Sequence, residues 1–172
     1  MRVRKLMATL GAAMSVAATA TGSVEAAEPV HTMNLGPEII LANSEPGGCL
    51  DLPSKQFGTR PVVAVCDQPG NNSQKWMRTG EGGEPYFNIY SWIGAGCMDV
   101  GPAPAHNVVM SPCNTTTSTS QRWSIQNRLE IGAQLRNNAT GTCLDYGARG
   151  NPVVLTPCSV ASHSQRWDSF LY

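Results

Sequence analysis

The chain has 172 residues, with 12 Lys and Arg against 12 Asp and Glu, 14% charged, 41% apolar and 6% aromatic. This length suits one domain, and a balanced charge with no basic run argues against gripping a phosphate backbone, so nucleic acid is not an expected partner. The one long apolar stretch, about 15 residues from Leu6 to Ala20, falls short of the roughly 20 that a bilayer core requires, so no membrane span is expected.

The chain opens with the three parts of a secretory leader: basic Arg2, Arg4 and Lys5, the apolar stretch, and small residues at Val24 and Ala26. We expect a signal peptide over 1–26, cleaved after Ala26. A folded amphipathic helix is the competing reading, but the segment has no polar face. Cleavage removes Arg2, Arg4, Lys5 and Glu25, leaving 9 basic and 11 acidic residues. A linker over 27–35 and a domain over 36–172 would follow. All six cysteines lie in the exported part, where export makes disulfides the expected state.

The mature chain repeats itself three times, in units of about 36–82, 83–130 and 131–172. The first unit carries Gly48-Cys49-Leu50-Asp51, then Val62 to Cys66, then Gln74-Lys75-Trp76. Its counterparts are Gly96-Cys97-Met98-Asp99, Val108 to Cys113 and Gln121-Arg122-Trp123, then Thr142-Cys143-Leu144-Asp145, Val153 to Cys158 and Gln165-Arg166-Trp167. Equivalent tryptophans fall 47 and 44 residues apart, a period that points to a repeated structural unit.

Within each unit the apolar runs are short, rich in Val, Leu and Ile, and bounded by Gly, Pro, Asn and Ser, which reads as strands and turns. In the first unit strands are expected over Ile39 to Leu41, Cys49 to Leu52, Val62 to Cys66 and Trp76 to Arg78. In the segment Tyr86 to Trp92, alternation sends Phe87 and Ile89 to the core and Tyr86, Asn88, Tyr90 and Trp92 to an outer face. Trp123 to Leu135 comes closest to a helical stripe, yet Ser124 to Gln126 and Leu129 to Ile131 alternate like strands around an Asn127-Arg128 turn. The domain is expected to be all-β.

Six cysteines allow 15 pairings. The pattern that looks the same in every unit joins Cys49 to Cys66, Cys97 to Cys113 and Cys143 to Cys158, each loop contributing roughly 3 kcal/mol if unstrained. Structural zinc is disfavoured, because no Cys-x-x-Cys occurs and no histidine recurs with the cysteines. No metal or cofactor is expected. Trp76, Trp123 and Trp167 recur among small and apolar neighbours, which reads as core packing.

A Cys-Leu-Asp start, a Val-rich strand ending in Cys, and Gln-x-Trp seven or eight residues later, three times in register, resembles the ricin B-type lectin family with its QxW repeats. The resemblance covers about residues 36–172. It implies a β-trefoil of twelve strands, six closing a barrel and six capping it, with one shallow sugar pocket per lobe. It also implies Asp51, Asp99 and Asp145 as acceptors for sugar hydroxyls. Gln74, Gln121 and Gln165 would stand behind them, their amides donating to each carboxylate and fixing its orientation.

The family's stacking aromatic lies two residues before the second cysteine, where this chain has Ala64, Ser111 and Thr156. Where Asn commonly precedes the Gln, it has Ser73, Ser120 and Ser164. Serine bonds hydroxyls but offers no ring face. Among possible substitutes, Tyr146 follows Asp145 and should point to the opposite strand face, while His106, next to Asn107, and His163 read as surface loop residues. Two functions follow from these residues. One is a secreted carbohydrate-binding module whose partner is a glycan or glycoconjugate. The other is a trefoil that engages a protein, as a toxin-delivery subunit or protease inhibitor would. Catalysis has little support, since the remaining carboxylates form no recurring pair and the histidines have no evident nucleophile. Asn71, Asn114 and Asn138 match Asn-x-Ser/Thr, which matters only in a eukaryotic secretory route.

Overall fold

In a computed structural model of the protein, the described residues are 35–43, 48–67, 71–80, 85–94, 96–128 and 132–171. The expected leader, the linker up to residue 34 and the expected strand at Leu129 to Ile131 lie outside them. Every described residue belongs to one compact unit, Thr32–Tyr172.

Twelve strands appear among the described residues, four per repeat. The first repeat holds β1 (Leu35–Asn43), β2 (Gly48–Asp51), β3 (Val62–Val65) and β4 (Lys75–Thr79). The second holds β5 (Asn88–Ser91), β6 (Cys97–Val100), β7 (Val108–Ser111) and β8 (Trp123–Gln126). The third holds β9 (Gln134–Asn137), β10 (Cys143–Asp145), β11 (Val154–Thr156) and β12 (Trp167–Leu171).

The first and fourth strands of each repeat close a six-stranded barrel. β1 pairs with β4 and β12, β4 with β5, and β8 with β9, all antiparallel. Bridges at Phe87–Trp123 and Ala133–Trp167 join the remaining neighbours. The middle strands form three hairpins, β2–β3, β6–β7 and β10–β11. This is the β-trefoil arrangement, and closing the barrel removes the exposed edges that an open sheet would leave.

Period-2 alternation decides which side chains fill the core. Leu50, Val63, Met98, Val108, Met110 and Leu144 are fully buried, while Asp51, Ala64, Asp99, Val109 and Ser111 face the other way. Each buried aliphatic side chain contributes about 1.5–3 kcal/mol. The three tryptophans are buried and tie barrel to cap. The Trp76 indole N–H donates to the Leu50 carbonyl at 2.9 Å, Trp123 to Met98 at 3.1 Å and Trp167 to Leu144 at 2.9 Å. Each accepting residue lies between the cysteine and aspartate of its repeat, so the aspartate's strand is fixed to the core one residue from the carboxylate.

One local expectation changes. Phe87 and Ile89 are in the core, but Asn88 is also fully buried instead of facing outward, because its Nδ2 donates to the Gln121 carbonyl at 2.9 Å. A polar side chain that finds such a partner is tolerated inside. Tyr146 packs into the core cluster. At the expected turn Asn127 adopts φ 45°, a left-handed conformation that Asn accepts readily, and its Nδ2 donates to Gln134 Oε1 at 2.7 Å.

Candidate functional site

In each repeat the middle hairpin presents the aspartate on its outer face, diagonal to the position two residues before the second cysteine. Cys49 pairs with Ala64 and Asp51 with Val62; Cys97 pairs with Ser111 and Asp99 with Val109; Cys143 pairs with Thr156 and Asp145 with Val154. The disulfides hold the base of each hairpin to the segment that follows it: Cys49–Cys66, Cys97–Cys113 and Cys143–Cys158, with Cα separations of 4.9, 4.9 and 5.0 Å.

The glutamines stand behind the aspartates and are buried. Gln74 Nε2 donates to Asp51 Oδ2 at 3.0 Å and to the Val65 carbonyl at 2.9 Å, while its Oε1 accepts from the Asp67 amide at 3.0 Å. Gln121 repeats this with Asp99 Oδ2 at 3.0 Å, the Pro112 carbonyl at 2.9 Å and the Asn114 amide at 2.7 Å. Gln165 does so with Asp145 Oδ2 at 3.3 Å, the Pro157 carbonyl at 3.0 Å and the Ser159 amide at 2.9 Å. With both donors and the acceptor engaged, each glutamine orients a carboxylate and has no N–H left for a ligand. Short 3-10 turns over Asn72–Gln74 and His163–Gln165 deliver two of them.

The three carboxylates then differ. Asp51 and Asp99 are half-buried. Asp51 accepts from Gln74, and Asp99 from Gln121 and, through Oδ1, from its neighbour's amide, Val100 N, at 2.7 Å. Asp145 is 9% exposed and surrounded by donors. Thr156 Oγ1 donates to its Oδ2 at 2.7 Å and the Gly147 amide to its Oδ1 at 3.2 Å, beside Gln165. Burial pushes the Asp145 pKa up, but hydrogen bonds from Thr156, Ser164, Gly147 and Gln165 together outweigh it and hold it below the ordinary 3.8. The lone pairs of Asp145 are thus spent inside the protein, whereas Asp51 and Asp99 keep acceptor capacity toward solvent.

The positions of the stacking aromatic follow the same division. Ala64 and Ser111 are half-buried and offer no ring face, while Thr156 turns its hydroxyl onto Asp145. The preceding serines engage their own loops: Ser73 Oγ donates to Asn71 Oδ1 at 2.6 Å, and the Ser118–Ser120 and Ser162–Ser164 hydroxyl pairs lie 2.9 and 2.8 Å apart. His106 is exposed, with φ 41°, in the loop between β6 and β7, and His163 is exposed at the start of its 3-10 turn. An apolar cavity of about 440 Å³ lies inside the barrel, lined by Leu41, Ile89, Leu135 and Trp167, with Arg78 stacked 4.3 Å over the Phe87 ring; none of the three aspartates borders it.

The sequence profile of the ricin-type β-trefoil lectin domain matches residues 38–167. The chain belongs to the ricin-type β-trefoil lectin family. Its repeated Cys-x-Asp and Gln-x-Trp segments all fall within the matched span. A comparison with curated proteins finds no match. Among solved structures the chain is similar to a designed threefold-symmetric protein, ThreeFoil, with a TM-score of 0.68 and 19% identity over 77% of this chain and 96% of that one. It is also similar to the Polyporus squamosus lectin bound to a human-type influenza-binding epitope, at TM-score 0.64 and 16% identity over 77% of this chain and 48% of that one. The hemolytic lectin CEL-III gives TM-score 0.61 and 24% identity over 77% of this chain and 30% of that one. At these identities the likeness establishes the fold. This chain spans about half of the Polyporus lectin and under a third of CEL-III. Among the described residues no helix is long and apolar enough to cross a membrane.

Proposed function

We propose that the protein is a secreted carbohydrate-binding module, with residues 1–26 removed as a leader and the domain beginning near residue 36. It acts by binding and not by catalysis. The observation that carries this reading is the Asp51–Gln74 and Asp99–Gln121 pairs, in which a buried amide presents a half-exposed carboxylate to solvent. Such a carboxylate accepts strong hydrogen bonds from adjacent sugar hydroxyls. The sites are the first and second lobes, each shallow and individually weak, with avidity when both engage one glycan-bearing surface. Asp145 serves the fold of the third lobe instead of a sugar.

A glycan array probed with the intact mature protein tests this. Binding is expected for the wild type and for Asp145→Asn, and is lost in the Asp51→Ala/Asp99→Ala double variant. Binding that survives in the double variant would place the sugar elsewhere. An array without signal, together with capture of a protein that free sugars do not displace, would favour the protein-binding alternative.

A further inference from the structure

A barrel of six strands is ordinarily filled by its own side chains, but here the third repeat leaves part of the lumen empty. Three lumen positions pair with the Gln-x-Trp tryptophans: Ile39 with Trp76, Phe87 with Trp123 and Ala133 with Trp167. Each stands ten residues before the first cysteine of its repeat. A second set, Arg78, Ile125 and Ser169, stands two residues after each tryptophan and so shares its strand face. All six line the cavity of about 440 Å³. The first two repeats place Ile, Phe, Arg and Ile at these positions, whereas the third offers only the methyl of Ala133 and the hydroxymethyl of Ser169. The third repeat thus omits side-chain volume that its siblings supply, and the lumen stays open beside Trp167.

The wall of this space is apolar with one cation in it. Leu41, Ile89 and Leu135 line it as buried core residues. Among the described residues that line it, Arg78 alone is charged, and its guanidinium lies 4.3 Å over the Phe87 ring. A second, polar hollow shares Arg78, Ile125, Ala133, Trp167 and Ser169 with the cavity and adds Arg128 and Asp168. The shared residues make the polar hollow the mouth of the apolar one. Two guanidinium groups stand there against one carboxylate among the described residues, a balance that favours an anionic head group. The apolar wall behind it offers no partners for sugar hydroxyls, whose burial would be costly. The volume lies within the roughly 300–1,000 Å³ of small-molecule sites. Scaled from an apolar void of ~150 Å³ that takes one benzene, it has room for an apolar body of about ten carbons or more.

We propose that the barrel lumen is a second binding site, separate from the hairpin aspartates, for a monoanionic amphiphile. Its apolar body fills the space left by Ala133 and Ser169 beside Trp167, and its carboxylate meets Arg78 at the mouth, with Arg128 adding to the positive field. The site does not depend on the carbohydrate-binding reading, since none of the three aspartates borders the cavity.

The test is a titration of the intact mature protein with decanoate and, in parallel, with 1-decanol, both dilute enough to stay monomeric, followed by backbone amide shifts. Decanoate should move the amides of Ile89, Ala133 and Leu135 and leave those of Asp51 and Asp99 in place. Decanol should bind about tenfold more weakly, and Arg78→Met should weaken decanoate about tenfold while leaving decanol unaltered, a split that a merely structural role for Arg78 would not produce. Ala133→Phe installs the residue of the second repeat and Ser169→Ile the isoleucine found there. Each fills the space, so each should weaken both ligands more than tenfold with a thermal midpoint no lower than that of the wild type. The two variants are independent, so one that failed to fold would leave the other to decide. No binding of decanoate to the wild type, or full affinity in a folded space-filling variant, would overturn the lumen site. Equal affinity for decanoate and decanol, or shifts confined to the hairpin aspartates, would overturn it as well.

Discussion

Replacing Gln121 by Glu isolates what the buried amide does. The change keeps the shape and keeps an acceptor for the Asn114 amide at 2.7 Å. It removes the two N–H donors that reach Asp99 Oδ2 at 3.0 Å and the Pro112 carbonyl at 2.9 Å. Each lost donor leaves an unsatisfied acceptor worth about 1–2 kcal/mol, and the new carboxylate faces Asp99. A loss of about 3–4 kcal/mol is expected near pH 7.5, a few hundredfold in the unfolding constant. Burial and the Asp99 charge both raise the folded-state pKa of the introduced carboxyl above its unfolded value of about 4.3. The penalty is therefore full above that raised pKa and shrinks as pH falls through it, when a protonated Glu again donates to Asp99. Gln121→Leu removes the same donors without a charge, so its loss should not shrink in this way. Urea unfolding followed by tryptophan emission at pH 7.5 and pH 5 measures both variants. A Gln121→Glu protein within 1 kcal/mol of wild type at pH 7.5, or a deficit no smaller at pH 5, would refute the reasoning.

Three further outcomes follow from named contacts. Asp145→Asn turns an amide N–H or a weaker acceptor toward donors that now meet a carboxylate, so it should cost about 1–2 kcal/mol near neutrality. Because the Asp145 pKa is lowered from 3.8, this difference is present above pH 3.8 and fades as pH falls through the folded value, which denaturant melts across pH 2.5–6 would read. Gly96→Ala sets a Cβ against the Ser111 carbonyl at φ +79° and should lower stability by about 1–3 kcal/mol, visible as a reduced thermal midpoint. Cys97→Ser with Cys113→Ser opens a loop of sequence separation 16 and should cost about 3 kcal/mol by urea titration.

What repeats in the sequence was legible in it. The cysteines, the Gln-x-Trp tryptophans and the aspartates recur at matching offsets, and each does the same thing in three places: a disulfide at a hairpin base, an indole N–H on the carbonyl before the aspartate, an amide on the carboxylate. What does not repeat stayed hidden. Thr156 reads like Ala64 and Ser111 until the Cys143–Thr156 register sets its hydroxyl against Asp145. Asn88 looks like the polar half of an alternating strand, and only the neighbouring Gln121 carbonyl explains its burial. Ala133 and Ser169 read as ordinary small residues of two separate strands, and only closure of the barrel sets both into the wall of one cavity beside Trp167, a relation that local patterning does not reach.

Under the proposed function, two of the three carboxylates remain open to sugar hydroxyls and the third is closed by its own repeat. Calorimetric titration of the strongest array glycan, prepared as a soluble monovalent ligand, tests it most directly by counting sites. Two sites are expected on the wild type, two on Asp145→Asn, one on each of Asp51→Ala and Asp99→Ala, and none on the double variant. Three sites on the wild type, or a site lost with Asp145→Asn, would contradict it.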